Sequence, residues 1–118
     1  MARLVLSLLL IGAGPAAAAE PDPLVTIKAG TIPLILSAPH GGREAIANVK
    51  PRQGEGVAQF ATVRDDNTAE LAEQLAVQIE KRLGGRPYLV LARFERKYVD
   101  ANRAENAAVE SDLAKPYY

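Results

Sequence analysis

Residues 32–38, Ile-Pro-Leu-Ile-Leu-Ser-Ala, carry no charge and are apolar on both sides of an extended chain, and this stretch restricts the fold more than any other. Such a strand belongs in the interior of a sheet with both faces covered. Just before it, Leu24 to Lys28 sets Leu24, Thr26 and Lys28 on one side and Val25 and Ile27 on the other, as a half-buried strand would. So few residues separate the two runs that an antiparallel hairpin is expected. Farther on, Leu71, Leu75, Ile79 and Leu83 recur every four residues beside Ala72 and Ala76, which predicts a helix with one apolar stripe. Asn67 and Glu70 resemble a capping box at its start, and Lys81, Arg82 and Gly84-Gly85 close it. Pro87 to Phe94 reads as a third strand, and a second, alanine-sided helix is expected from Asp100 to Leu113, ended by Pro116. The order β, β, α, β, α predicts an α/β fold, a three-layer sandwich with a mixed sheet, in one domain over residues 20–118. Three strands do not fill such a sandwich, so the chain is expected to be the N-terminal part of a longer, truncated domain.

The first 19 residues read differently. A cationic start at Arg3, an apolar run from Leu4 through Ile11, then Gly12, Gly14, Pro15 and four alanines make a secretory signal peptide over residues 1–19. The apolar run is far short of the roughly 20 residues that cross a bilayer core, so no stable membrane anchor is expected after cleavage at Ala19. Loss of Arg3 from 14 basic and 14 acidic residues leaves a net charge of −1, which gives no electrostatic case for nucleic acid. The chain has no cysteine, which excludes disulfides, a thiolate metal site and a cysteine nucleophile. A bacterial periplasmic or secreted location fits both features.

Chemistry concentrates at two places. Residues 39–64 carry glycines at 41, 42, 54 and 56 and prolines at 39 and 51, and a long loop of that kind inside a compact domain is usually functional. It opens with Pro39-His40-Gly41-Gly42-Arg43 at the carboxyl end of the apolar strand, where ligands gather in open α/β sheets. His40, the single histidine, fits a metal ligand or an unreactive turn residue. The pair Asp65-Asp66 opens the first predicted helix, where carboxylates also serve the helix dipole. After the third strand, Arg96, Asp100, Asn102 and Arg103 suggest an anion clamp, since the planar fork of arginine grips a carboxylate with two parallel hydrogen bonds. A solvated, ion-paired helix start fits the same residues.

Taken in order, Pro39-His40-Gly41-Gly42, the acid pair, and Arg96-Lys97-Tyr98-Val99-Asp100-Ala101-Asn102-Arg103 resemble the N-formylglutamate amidohydrolase family, over residues 34–118. The resemblance implies a phosphorylase/hydrolase-like fold similar to that of zinc carboxypeptidases, and a zinc-dependent hydrolase of linear amides. It implies that His40 is the first Zn2+ ligand and that one of Asp65 and Asp66 is the second. Asn102 and Arg103 are implied to hold a substrate carboxylate; Asp100 and Arg96 match motif positions without an assigned role, and Arg96 is a substrate-binding candidate through its guanidinium in the clamp. A further ligand and the general base belong to the family's later half and have no candidate here, so the catalytic residues are not assigned. The implied substrate is an N-acylated acidic amino acid such as N-formylglutamate. An exported peptidoglycan or peptide amidase is the alternative that suits the signal peptide, and a non-catalytic remnant that binds carboxylates is the alternative outside enzymes. In each case the partner is a small molecule or peptide bearing a carboxylate.

Overall fold

The computed structural model describes residues 23–118; the segment read as a signal peptide and residues 20–22 lie outside them. Its elements are β1 (Val25–Lys28), β2 (Ile35–Ala38), α1 (Thr68–Leu83), β3 (Tyr88–Ala92), the single turn α2 (Glu105–Ala108) and a closing 3-10 turn (Lys115–Tyr117). The sheet is mixed, in the order β1-β3-β2: β1 runs antiparallel and β2 parallel to β3. The described residues therefore form a mixed α/β fold, and none of their helices is long and apolar enough to cross a membrane.

The expected hairpin does not form. The chain leaving β1 turns beneath the start of β3, where Thr31 and Ile32 donate their N–H groups to the Arg86 carbonyl at 2.7 and 3.1 Å and Arg86 N–H donates to Thr31 Oγ1 at 2.9 Å. At Gly30 a Cβ would stand 2.4 Å from the Tyr88 nitrogen, so the crossing requires glycine. These contacts place β3 between the two N-terminal strands. β2 is consequently an edge strand, with Ile35 67% exposed, rather than the interior strand its composition suggests.

Helix α1 lies on the sheet through its small residues. Ala72 packs with Ala38, Leu89 and Leu91, and Ala69 is also buried, whereas Leu71, Leu75 and Leu83 are exposed. Alanines let the helix axis come close to the strands, and Leu71 and Leu75 are left along a groove between α1 and β2. The expected capping box is absent as well: Asn67 is left-handed with φ 63° and makes no side-chain cap bond. The other end matches expectation, with left-handed Gly84 donating to the Glu80 carbonyl at 2.9 Å. A second core gathers Ile46, Val49, Ala92, Phe94, Tyr98, Val99, Val109 and Ala114, closed by an edge-to-face contact of Phe94 and Tyr117 with ring centroids 5.9 Å apart. The second helix shrinks to one turn because residues 100–103 form a turn of their own, with Arg103 N–H on the Asp100 carbonyl.

Candidate functional site

Three chain segments meet at the carboxyl ends of β2 and β3. His40 stands two residues beyond β2, and its carbonyl accepts the Asp65 N–H at 3.0 Å, which returns the far end of the long loop to its side. The loop can pass here because Gly41 and Gly42 have no side chains: a Cβ on Gly41 would lie 2.8 Å from the Ala69 nitrogen, and one on Gly42 2.2 Å from the Phe94 carbonyl oxygen. Asp100 arrives from the other side, in a turn held by its N–H on the Ala108 carbonyl at 2.9 Å.

The His40 ring is buried between two carboxylates. Nε2 is 2.6 Å from Asp100 Oδ1, and Nδ1 is 3.2 Å from Asp65 Oδ2. Asp100 is 1% exposed in its side chain, Asp65 51%. Burial opposes charge on Asp100, but hydrogen bonds from Arg96 and then from His40 outweigh it and hold the carboxyl below its ordinary value. An ionised Asp100 only accepts, so His40 Nε2 carries the proton of the short bond. Nδ1 then turns toward Asp65 Oδ2, and two such atoms 3.2 Å apart are held together by a proton on Nδ1 or by a shared cation.

The spacing suits a shared cation. Two ligands roughly 2.0–2.1 Å from a tetrahedral zinc lie about 3.3 Å from each other. A buried carboxylate on the second ring nitrogen is the usual support of a ligating histidine, fixing tautomer and ring plane. His40 Nδ1 and Asp65 Oδ2 thus fit two zinc donors, with Asp100 behind them. Among the described residues no group of three His, Cys, Asp or Glu side chains is arranged to hold a metal ion.

The remaining expected site residues divide. Asp66 pairs with Arg64 and takes no part in the His40 contact. Arg96 is turned inward: its Nε and Nη2 are each 2.9 Å from Asp100 Oδ2, and its Nη1 lies 3.7 Å from Asp65 Oδ1, so one guanidinium joins both carboxylates. Arg103 joins the cluster with Nε 3.7 Å from Asp100 Oδ2, and its Nη2 donates to the Gln59 carbonyl at 3.0 Å. Asn102 contributes its backbone N–H to Asp100 Oδ1 at 3.3 Å and is exposed. The sequence marked Asp100 only as a member of a motif, whereas the structure makes it the centre of the site. Arg52, which lies behind Arg96, carried no signal in its Pro- and Gly-rich surroundings.

Comparison with protein-family models, curated proteins and solved structures finds no match.

Proposed function

We propose that this chain carries part of the zinc site of an amide hydrolase acting on N-acylated acidic amino acids, within a three-layer fold similar to that of zinc carboxypeptidases. The observation that carries the reading is the His40 Nδ1 to Asp65 Oδ2 separation of 3.2 Å, with Asp100 on the opposite ring nitrogen. Catalytic zinc takes three protein ligands, so the reading requires a third besides the two described donors. Zinc, when bound, supplies Lewis-acid activation of water and of an amide carbonyl. The residues of this chain hold and orient. Asp100 keeps the proton on Nε2, and Arg96 holds Asp65 and Asp100 to either side of the ring. Arg103, on the same cluster and partly exposed, is the guanidinium that would meet a substrate carboxylate, exchanging its Nη2 contact with the Gln59 carbonyl for the ligand and so fixing the position of the scissile amide. The substrate requirement is the same for a small acyl-amino acid and for a peptide amide with a nearby carboxylate.

A non-catalytic carboxylate-binding role is the second reading, favoured by the presence of two donors where zinc catalysis needs three. The experiment measures zinc uptake by competition with a chromophoric chelator, then hydrolysis of N-acylglutamates and their amidated analogues by the zinc-loaded protein. His40→Ala and Asp65→Asn are expected to abolish uptake, and Asp66→Asn to leave it within twofold. Uptake indifferent to His40→Ala and Asp65→Asn overturns the metal assignment. Zinc uptake without hydrolysis, together with binding of acidic but not amidated ligands, selects the second reading.

A further inference from the structure

Arg52 belongs to none of the motifs above, yet it is 4% exposed and ties together three segments around the site. Its Nη2 donates to the carbonyls of Ala61 and Arg96, both at 2.9 Å, and its Nη1 to the carbonyl of Ala107 at 3.2 Å. Its backbone N–H donates to the Lys97 carbonyl at 2.8 Å. The guanidinium carbon lies 4.9 Å from the centre of the Phe60 ring. Two of the accepting carbonyls flank the Asp100 turn: Arg96 is the residue whose own fork grips Asp100, and Ala107 adjoins Ala108, whose carbonyl receives the Asp100 N–H. Burial lowers the Arg52 pKa, with the Asp100 and Glu110 carboxylates opposing. The side chain therefore stands within the field of the same carboxylate that fixes His40.

We infer that Arg52 is a positioning residue: by holding the main chain at Arg96 and Ala107, it sets the Arg96 fork against Asp100 and Asp65 and thereby fixes the His40 ring between them. The inference rests on the reading above only in treating His40 as the working group. A guanidinium suits the task because its nitrogens diverge in one plane and reach acceptors in different segments, while an ammonium keeps the charge and lacks the span. Arg52→Lys thus separates geometry from charge.

The test exploits the single histidine, whose ring signals are unambiguous in 15N-histidine-labelled protein. The short Nε2–H bond to Asp100 gives a strongly deshielded proton. In Arg52→Lys this resonance is expected to move upfield or broaden at a temperature where circular dichroism shows the chain folded. Arg93→Lys is the control, because Arg93 binds Thr26 and Glu73 away from the site; it is expected to lower the melting temperature while leaving the His40 proton in place. An unchanged His40 proton in folded Arg52→Lys overturns the inference and makes Arg52 a staple of the fold. If Arg52→Lys does not fold, Phe60→Leu decides, since it keeps every donor and removes the ring that lies beneath the fork and against Gly54. The same upfield movement, smaller, is then expected, and none overturns the inference. The readout needs no zinc, so its failure and the failure of the metal assignment are separate results.

Discussion

Asp100 is the residue on which the site depends. Its side chain is almost fully buried, yet it receives hydrogen bonds from Arg96, His40 and the Asn102 N–H, with Arg103 nearby. Removing one member of a buried ionic cluster leaves the others uncompensated, at a cost of about 3–5 kcal/mol. Asp100→Asn is expected to lose stability on that scale in urea unfolding, because the amide cannot match the charge of the guanidinium groups facing it. Asp65→Asn, at a half-exposed position, is expected to lose less than about 1 kcal/mol. Equal losses would show that the site is not organised around Asp100. The contrast also bears on what the sequence made legible. His40 at the end of an apolar strand was readable from Pro39-His40-Gly41-Gly42, since prolines and glycines announce where a strand stops. Asp65 and Asp66 were equivalent as letters at a helix start. Only side-chain direction separates them, one carboxylate turned to His40 and the other to Arg64.

Strands β1 and β3 and helix α1 were legible within a few residues, because their apolar spacing is local information; strand pairing was not. Closeness in sequence suggested a β1–β2 hairpin, but the pairing follows from the contacts of Thr31, Ile32 and Gly30 with residues 86–88, which lie more than fifty positions away. Gly30→Ala is accordingly expected to destabilise by about 1–3 kcal/mol, the cost of an added methyl with no room to enter. Urea unfolding checks this, and a neutral result would mean that the crossing is looser than its geometry. In the sequence the larger residues mark the stripe on α1, whereas the helix buries its smaller ones, which close approach to a sheet requires. A second long-range tie fixes the loop that bears Arg52. Glu110 accepts the N–H groups of Gln53 and Gly54 at 2.7–3.0 Å, and these bonds, more than the charge of Arg52, hold its carboxyl below the ordinary value against a small burial effect. A carboxyl lowered on folding adds stability that is complete above its unfolded pKa of about 4.3 and is lost as pH falls through the lower folded value. Glu110→Gln is expected to be less stable than the parent at neutral pH, with the difference closing on acidification below that range. A difference that persists undiminished to the acid limit would assign the effect to shape rather than charge.

Across the whole described fold, the three-stranded sheet has two outer strands, β1 and β2, and the β2 side lies against the exposed leucines of α1. β2 lies at one end of the sheet; Ile35 is exposed on the face opposite Leu36 and Ala38, while on the α1 side Leu71 and Leu75 are exposed along a groove of about 270 Å³ that Leu36, Ala38, Ala72, Thr68 and Asp65 also line. Natural edge strands discourage pairing with charge, proline or a bulge. Here Pro33 and Pro39 lie outside the strand, and residues 29–42 contain no Asp, Glu, Lys or Arg to repel a second copy. An open edge beside the exposed leucines of α1 favours association through both backbone pairing and burial of leucine. The chain is therefore expected to self-associate as concentration rises. Ile35→Lys puts a charge on the edge, and Leu71→Glu puts one among the exposed leucines in the first turn of α1, where the helix dipole favours an acid. Because Ile35 is 67% and Leu71 65% exposed, little apolar burial is lost, and folding stability should change by no more than about 0.5 kcal/mol. Sedimentation velocity over a concentration series separates the outcomes. A parent chain that associates and a double variant that remains monomeric locate the contact at the β2 edge. A parent that stays monomeric throughout, or a variant that associates as strongly, shows that the edge is guarded by something other than its own residues.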